Sequence, residues 1–314
     1  MVALRKLGQL LITVVLVTLF ASLLLELLPG DPVEVLVPFG SDEQREAVRA
    51  DLELDQPFIA RYTSWLGGFA TGDMGNYYAV SSTRPVSERV WQALPVSLVL
   101  MIYAQVIALL IAIPVGVFAA YRKDSFFDRL SNTSAFAMLA IPTFALGFVL
   151  QYYLAVKLGW FKATGYTPIE ENPVEHFQTV FLPVVTLAVG QVAVYMRLLR
   201  SDMIATLQQD FITMAKAKGL RNKRILFRHA LRPSSLTLLT VAGLNVGTLI
   251  GGALIVEVVF QIPGMGFLIA EAIATRQVVA FQSMVAIIAI FYVLVNFVVD
   301  ILYSTLDPRI RHGK

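Results

Sequence analysis

Six long apolar runs constrain this chain more than any other feature. They cover about Leu7–Leu28, Leu94–Ala120, Ser134–Leu158, Gln178–Leu198, Ser235–Phe260 and Ser283–Leu306. Each is long enough, at roughly 20 residues or more, to cross about 30 Å of hydrocarbon as a helix. Backbone amides in lipid must be paired within the segment, so helices are expected rather than open strands, and no alternating pattern suggests a barrel. The expectation is an all-α membrane protein with six transmembrane helices. Only 15% of the 314 residues are charged and 57% are hydrophobic, which fits a surface that faces lipid instead of water. The first run follows Arg5 and Lys6 as a signal peptide would. It is too long for such a segment and no Ala-x-Ala site follows, so a retained helix is expected.

Basic residues orient the bundle. With the N-terminus inside, about 17 of the 25 Lys and Arg fall on the inner side and about 8 on the outer, the bias that cytoplasmic loops carry. Both termini are then cytoplasmic. Residues 29–93 form an outer region within one transmembrane domain spanning 1–314, and residues 199–234 form an inner segment rich in Lys and Arg. In the outer region Ser41 and Gln44 spell a capping box, and Pro57 suits the first position of a helix. Phe58, Tyr62 and Trp65 follow at helical spacing, which fits either a helix in the membrane interface or an ordinary packed loop.

The chain has no cysteine, which removes disulfides, thiolate metal sites and cysteine nucleophiles. His176, His229 and His312 are too scattered for a metal centre. His176 reads as part of an outer loop and His229 as part of the inner segment, with a span between them, so they share no catalytic site. There is no GxxxxGK[ST] loop, and the Gly251-Gly252 pair lies inside an apolar run. No catalytic residue and no bound cofactor are therefore expected, and nothing points to nucleic acid.

The segment Asp210–Ser234 reads DFITMAKAKGLRNKRILFRHALRPS. A helix is expected to about Lys218, with Gly219 ending it and a second short helix over Arg221–Leu231. Ala215 and Ala217 beside Met214 permit close approach of a partner, rimmed by Lys216, Lys218, Arg221, Lys223 and Arg224. The same pattern also suits a basic loop that sets topology or touches anionic lipid. In the fifth run Gly243, Gly247 and Gly251 recur every four residues, for packing within this chain or at a seam with another. Asn245 and Thr248 either line a path or bond a neighbouring helix. Glu257 is placed near the outer end, facing an outward mouth or water. Asp300 is placed to pair with Arg197, Arg200 or Arg309.

MAKAKGL followed by RHALRPS resembles the cytoplasmic coupling loop of ABC-importer permeases, in the variant of the dipeptide, oligopeptide and nickel family. Gly219, Ala215 and Leu231 match its general pattern. Thr213, Met214, His229 and Arg232 stand where it has Glu, Ala, Ile and Pro, with Pro233 one place late. LPGDPV (28–33), LDQPFIARYTSWLGGFATGDMG (54–75), IPTF (141–144), GGALIVEVVFQIPGMG (251–266) and VDILYSTLDPRIR (299–311) are similar to the same family, in order along the chain, and to the first of its two permease subunits. The resemblance implies a bacterial inner-membrane permease with a second, homologous permease beside it. It also implies one or two ATPase subunits holding ATP and Mg, and an extracytoplasmic binding protein that docks on the acidic region 31–91. Thr213 to Leu220, with His229 and Leu231, would then enter a cleft on an ATPase. Dipeptides or oligopeptides are the implied cargo, with glutathione and nickel chelates as alternatives. An ion-coupled carrier would call for acids or histidines at mid-membrane, and the spans hold none there.

Overall fold

The computed structural model describes residues 2–79 and 82–306. Contacts divide the chain into two compact units, Met1–Ser97 with Pro263–Leu294, and Leu98–Ile262 with Val295–Lys314. Helices α5 (Val86–Tyr121) and α14 (Val278–Leu306) contribute to both.

The first unit starts with α1 (Val2–Glu26), whose described apolar part is Leu10–Glu26. The outer region then folds as α2 (Pro32–Leu36), α3 (Asp42–Asp51), α4 (Phe58–Thr71) and a two-stranded hairpin, β1 (Asn76–Ala79) with β2 (Ser82–Pro85). The capping box is present: Ser41 Oγ accepts from the Gln44 amide and Gln44 reaches back to the Ser41 amide. Pro57 lies one place earlier than expected, as the N-cap of α4, its φ of −55° preset for the turn.

Tyr62 and Trp65 are buried, so this face of α4 packs within the chain. Tyr62 Oη lies 2.9 Å from Thr18 Oγ1, and the Trp65 indole donates to Ser283 Oγ at 2.9 Å. The hairpin was not expected from sequence. It pairs Asn76 with Pro85 through Ala79 with Ser82, and is tied down by the Gln277 side-chain amide, which accepts from the Tyr78 amide and donates to the Tyr78 carbonyl. Arg89 lies over the ring of buried Tyr77 at 3.9 Å and pairs with Glu271 of α13 (Met265–Ala274) at 2.7 Å. Burial, and then the nearby Glu271 carboxylate, push the Tyr77 hydroxyl above the ordinary tyrosine range.

The second unit contains α6 (Phe126–Ala140), α7 (Thr143–Leu150) with a π-helical continuation over Gln151–Lys157, α8 (Pro173–Leu207), α9 (Asp210–Ala217), α10 (Asn222–Arg224) with a π segment over Ile225–Ala230, α11 (Leu231–Leu244) and α12 (Val246–Phe260). On α5, Leu100, Ala104, Ala108 and Ala112 are buried at four-residue spacing while Ile102, Val106 and Leu110 are exposed. A helix apolar all round, with its small residues inward and its branched ones outward, is built for lipid.

Among the described residues, three helices are long and apolar enough to span alone: Val86–Tyr121, Pro173–Leu207 and Val278–Val299. The third and fifth expected spans are not straight. The third turns by 100° between α6 and α7. Pro142 forces Ile141 into extended backbone (φ −86°, ψ 121°), so α6 ends there and α7 starts afresh. The fifth bends by 45° at Asn245, between α11 and α12. His176 is not in a loop: it lies in the first turn of α8, which Asn172 caps through its side chain. The ring is buried between the edges of Tyr103 and Tyr166, with Nδ1 2.7 Å from the Thr167 carbonyl oxygen.

Candidate functional site

The segment 209–234 is built as an elbow. Its first arm, α9, ends in a Schellman closure: the Leu220 amide donates to the Ala215 carbonyl and the Gly219 amide to the Lys216 carbonyl. Gly219 has φ +71°, a left-handed conformation that suits glycine. Nothing lies within 4 Å of where its Cβ would be, so backbone conformation, not space, selects glycine there. The helix is pinned from below by Ile212 (0% exposed) and Ala215 (7%). Its other side is open: Phe211 is 46% exposed and Met214 57%, and Thr213, Lys216, Ala217, Lys218 and Gly219 are exposed beside them. Leu220 is half-buried.

The second arm differs from the sequence expectation. It is no separate short helix, because Asn222–Leu244 runs on through Leu231 as one helical stretch. The π turn over Ile225–Ala230 precedes Pro233, whose missing N–H and bulky ring disrupt regular α bonding at this point. Ile225 and Leu226 are buried, while Phe227, Arg221, Lys223, Arg224 and Arg228 face out. His229 and Leu231 are half-buried and lie on this inner arm, off the open face of α9. Asn222 Nδ2 donates to Tyr121 Oη at 2.9 Å, and Thr206 Oγ1 lies 2.8 Å from Ser234 Oγ. These bonds fix the elbow to α5 and α8.

One anchor of this end escaped the sequence reading. Asp128 of α6 is buried and receives Arg200 of α8 in a two-pronged ion pair, with Nη2 to Oδ2 at 2.6 Å. The Asp124 amide and Asn132 Nδ2 complete its bonding, at 2.9 Å each. Arg200 pairs with Asp128, and Arg197 lies over the Phe136 ring at 4.1 Å. The Asp300 side chain and Arg309 lie outside the described residues. A carboxylate four residues beyond a turn gave no signal that its partner lies 72 residues away.

Asn245 and Thr248 join a polar chain across three helices. Asn245 Nδ2 donates to Gln191 Oε1 at 3.1 Å and Gln191 Nε2 to Thr248 Oγ1 at 3.2 Å. Tyr195 Oη donates to Gln105 Oε1 at 3.0 Å. Asn245 is half-buried and Thr248 exposed. Glu257 does not face a mouth or water: it is 0% exposed, one turn before the end of α12. Its placement near a helix end pointed outward in the sequence, but the connection before α8 closes on that end of α12, the Gly165 amide donating to the Phe260 carbonyl at 3.0 Å.

The three glycines do not share one helix face, because the bend at Asn245 falls between Gly243 and Gly247. A Cβ on Gly243 would come within 2.5 Å of the Val299 side chain, whereas space beside Gly251 is open. Gly147 makes the closest fit between α7 and its neighbours, where a Cβ would meet Phe260, Val259 and Thr186 at 3.3 to 3.5 Å.

Long apolar helices, with two further bent helix pairs and an exposed basic elbow between α8 and α11, fit a multi-pass membrane protein. Residues 112–312, more than half of the chain, match the family described as the inner membrane component of binding-protein-dependent transport systems, and the chain belongs to that family. It is 36% identical to the oligopeptide transport system permease protein AppB of Bacillus subtilis over 299 residues, 94% of each chain. It is 31% identical to the dipeptide transport system permease protein DppB of Alkalihalophilus pseudofirmus over 338 residues, 99% of each. The glutathione transport system permease protein GsiC of Salmonella paratyphi A is 33% identical over 310 residues, 98% of each. Among solved structures, a chain of the MetNI methionine ABC transporter in inward-facing conformations matches with TM-score 0.57 at 16% identity. That match covers 70% of this chain and 96% of the other, a likeness of fold. The chain is therefore an ABC-importer permease of the inner membrane, and ATP hydrolysis belongs to separate ATPase subunits.

Proposed function

We propose that this subunit pairs with a second, homologous permease to import short peptides, dipeptides or oligopeptides. In this reading both termini and the elbow 209–234 lie in the cytoplasm, and α9 seats in a cleft of an ATPase subunit that holds ATP and Mg. The observation that carries it is the exposure of Phe211 and Met214 on a helix whose opposite side is firmly anchored. Exposed apolar side chains rimmed by cations are the mark of a surface that a protein partner covers. A segment that only set topology would need the charges and not the apolar pair. The anchors Ile212, Ile225 and the Asp128–Arg200 pair would carry a push on α9 into α6, α8 and α11. ATP drives the cycle only if it binds one state of the assembly more tightly than the other. Cargo follows the relatives that transport peptides, delivered by a binding protein at the region 31–91. Glutathione, itself a short peptide, is the second reading because a glutathione permease matches at equal coverage.

Replacing Gly219 by Val tests the coupling role. The change forces a β-branched side chain into a left-handed backbone, at a cost of about 1–2 kcal/mol, and loosens the Schellman closure. In proteoliposomes holding the full transporter, ATP turnover is expected to persist while peptide uptake falls about ten-fold or more, since loss of a defined contact geometry costs more than its bonds. Uptake at the parental rate would refute the role assigned to α9. Reporter fusions are expected to place Lys216 inside and Asp51 outside; the reverse would overturn the orientation.

A further inference from the structure

The helices on either side of Asn245 are held at their far ends by different neighbours. On one side Asn222–Leu244 is a single helical stretch that grows out of the elbow, and Ser234 Oγ lies 2.8 Å from Thr206 Oγ1 of α8. On the other side α12 is fitted at Val259 and Phe260 against Gly147 of α7, where a Cβ would have only 3.3 Å. The two levers meet at 45°, and no proline lies between Ser234 and Phe260 to cause the turn. Asn245 makes it with φ −72° and ψ −8°, where a regular helix has ψ of about −42°. Gly243 and Gly247, two residues to each side, ease the departure from the helix.

Side chains from two other helices converge on this turn. Gln105 of α5 donates Nε2 to the Ala242 carbonyl at 3.3 Å, and accepts from Tyr195 Oη of α8 at 3.0 Å. Gln191 of α8 bridges the turn: it accepts from Asn245 Nδ2 at 3.1 Å and donates to Thr248 Oγ1 at 3.2 Å. Thr248 Oγ1 in turn donates to the Asn245 carbonyl at 2.7 Å. Side chains that enter a helix ladder in this way are an identified cause of sharp bends. Gln105, Gln191 and Asn245 also lie near the middle of their spans, Val86–Tyr121, Pro173–Leu207 and Asn222–Phe260. Side-chain bonds between membrane helices are individually weak, so such a set can open and re-form without the helices parting.

We propose that Asn245 is the joint at which movement of the elbow passes into α12, and that Gln105 and Gln191 are positioning residues that set its angle. The proposal rests on the coupling role given to the elbow above. A push along α11 meets α12 fixed at its far end, so either the angle at Asn245 changes or an anchor breaks. In the bent form Gln191 holds Asn245 and Thr248 across the turn. In the ATP-bound form the turn straightens, Asn245 returns to regular helix and the Gln191 bridge opens.

The chain has no cysteine, so labels can be placed singly. Leu236→Cys and Val258→Cys, exposed on opposite sides of the turn, carry a spin-label pair in the complete transporter in lipid nanodiscs. Adding ATP, Mg and vanadate is expected to lengthen the label distance by about 2 Å, the amount a 45° bend removes from arms of this length. Asn245→Leu and, separately, Gln191→Leu should show the long distance without nucleotide. Both should keep ATP turnover and thermal unfolding near parental values while peptide uptake falls about ten-fold, a usual size for coupling between linked sites. The exchanged pair, Asn245→Gln with Gln191→Asn, keeps an amide on each side and is expected to recover uptake. A label distance that does not move with ATP, or parental uptake per ATP in both leucine variants, would overturn the proposal. So would a loss of uptake that follows lost stability and is not recovered by the exchanged pair. If the leucine variants fail to fold, the labels on the otherwise parental chain still decide. Gly219→Val separates this idea from the coupling reading. If it uncouples uptake in a transporter whose labels never move, only the joint falls. If it leaves uptake intact while the labels move, the elbow reading falls and the joint stands, driven from elsewhere.

Discussion

Helices α4 and α9 are both amphipathic segments between spans, and they end differently. Over its 14 residues α4 puts Tyr62 and Trp65 inward, where rings and hydrogen bonds meet partners from α1 and α14. α9, with 8 residues, buries only Ile212 and Ala215 and leaves Phe211 and Met214 outside. The first is completed by its own chain. The second is finished on one side only, so its sequence answers to a surface this chain does not contain. Substitutions on α4 should be felt as lost stability, and those on the open side of α9 as lost partnership.

The largest effect is expected from Trp65→Ala. It removes a buried ring and leaves Ser283 Oγ without the indole donor, a loss of about 3–5 kcal/mol for large-to-small changes of this kind. Thermal unfolding in detergent should fall well below the parental value. If it did not, α4 would be a surface helix like α9 and the contrast would be lost.

The same contrast explains how far the sequence could be read. Ser41 with Gln44 and the stop at Gly219 are local: a cap and a left-handed turn need only their own few residues, and both appear where the sequence places them. The straight spans α5, α8 and α14 follow from length and hydropathy. The bends do not. Pro142 offered a signal, yet apolar residues run on both sides of it and mask the break. Asn245 has no proline; its bend sits where its side chain bonds Gln191, 54 residues away. The hairpin is held by Gln277, 199 residues from Tyr78, a distance no local pattern reports. Glu257 misled because position along a helix says nothing of which neighbours close over it. For the coupling segment the sequence showed which residues were basic or small, while the split between anchors and open face appeared only once Ile212 and Ala215 were seen to be buried.

A medium effect distinguishes packing within the chain from surfaces left for another. Gly243→Ala pushes a methyl against Val299 and should cost about 1–3 kcal/mol of stability by overpacking. Gly251→Ala meets open space and should leave the isolated chain's unfolding unchanged, the helix propensity gain aside. Equal loss from both would mean that the two glycines serve the same intramolecular seam. A loss at Gly251 that appears only when the second permease is present would place that glycine at the junction of the pair.

The smallest change in the chain itself, and the sharpest for the comparison, is expected from Phe211→Ser with Met214→Ser. Both side chains are about half exposed, so surface substitutions there should stay within about 0.5 kcal/mol of parental stability. Their apolar area is unused in the free subunit and would be removed from water only under a partner. At about 25 cal/mol per Å², covering the two side chains is worth a few kcal/mol before ordering costs, so retention of the ATPase subunit on the purified permease should drop several-fold. Lys216→Ala and Lys218→Ala, on the rim, should instead weaken that retention modestly at low ionic strength and make it less sensitive to salt. If the serine pair unfolded the chain, α9 would be a buried element like α4. If it left both stability and retention untouched, the open side of α9 would be a lipid-facing or idle surface, and the partner would have to grip the elbow elsewhere.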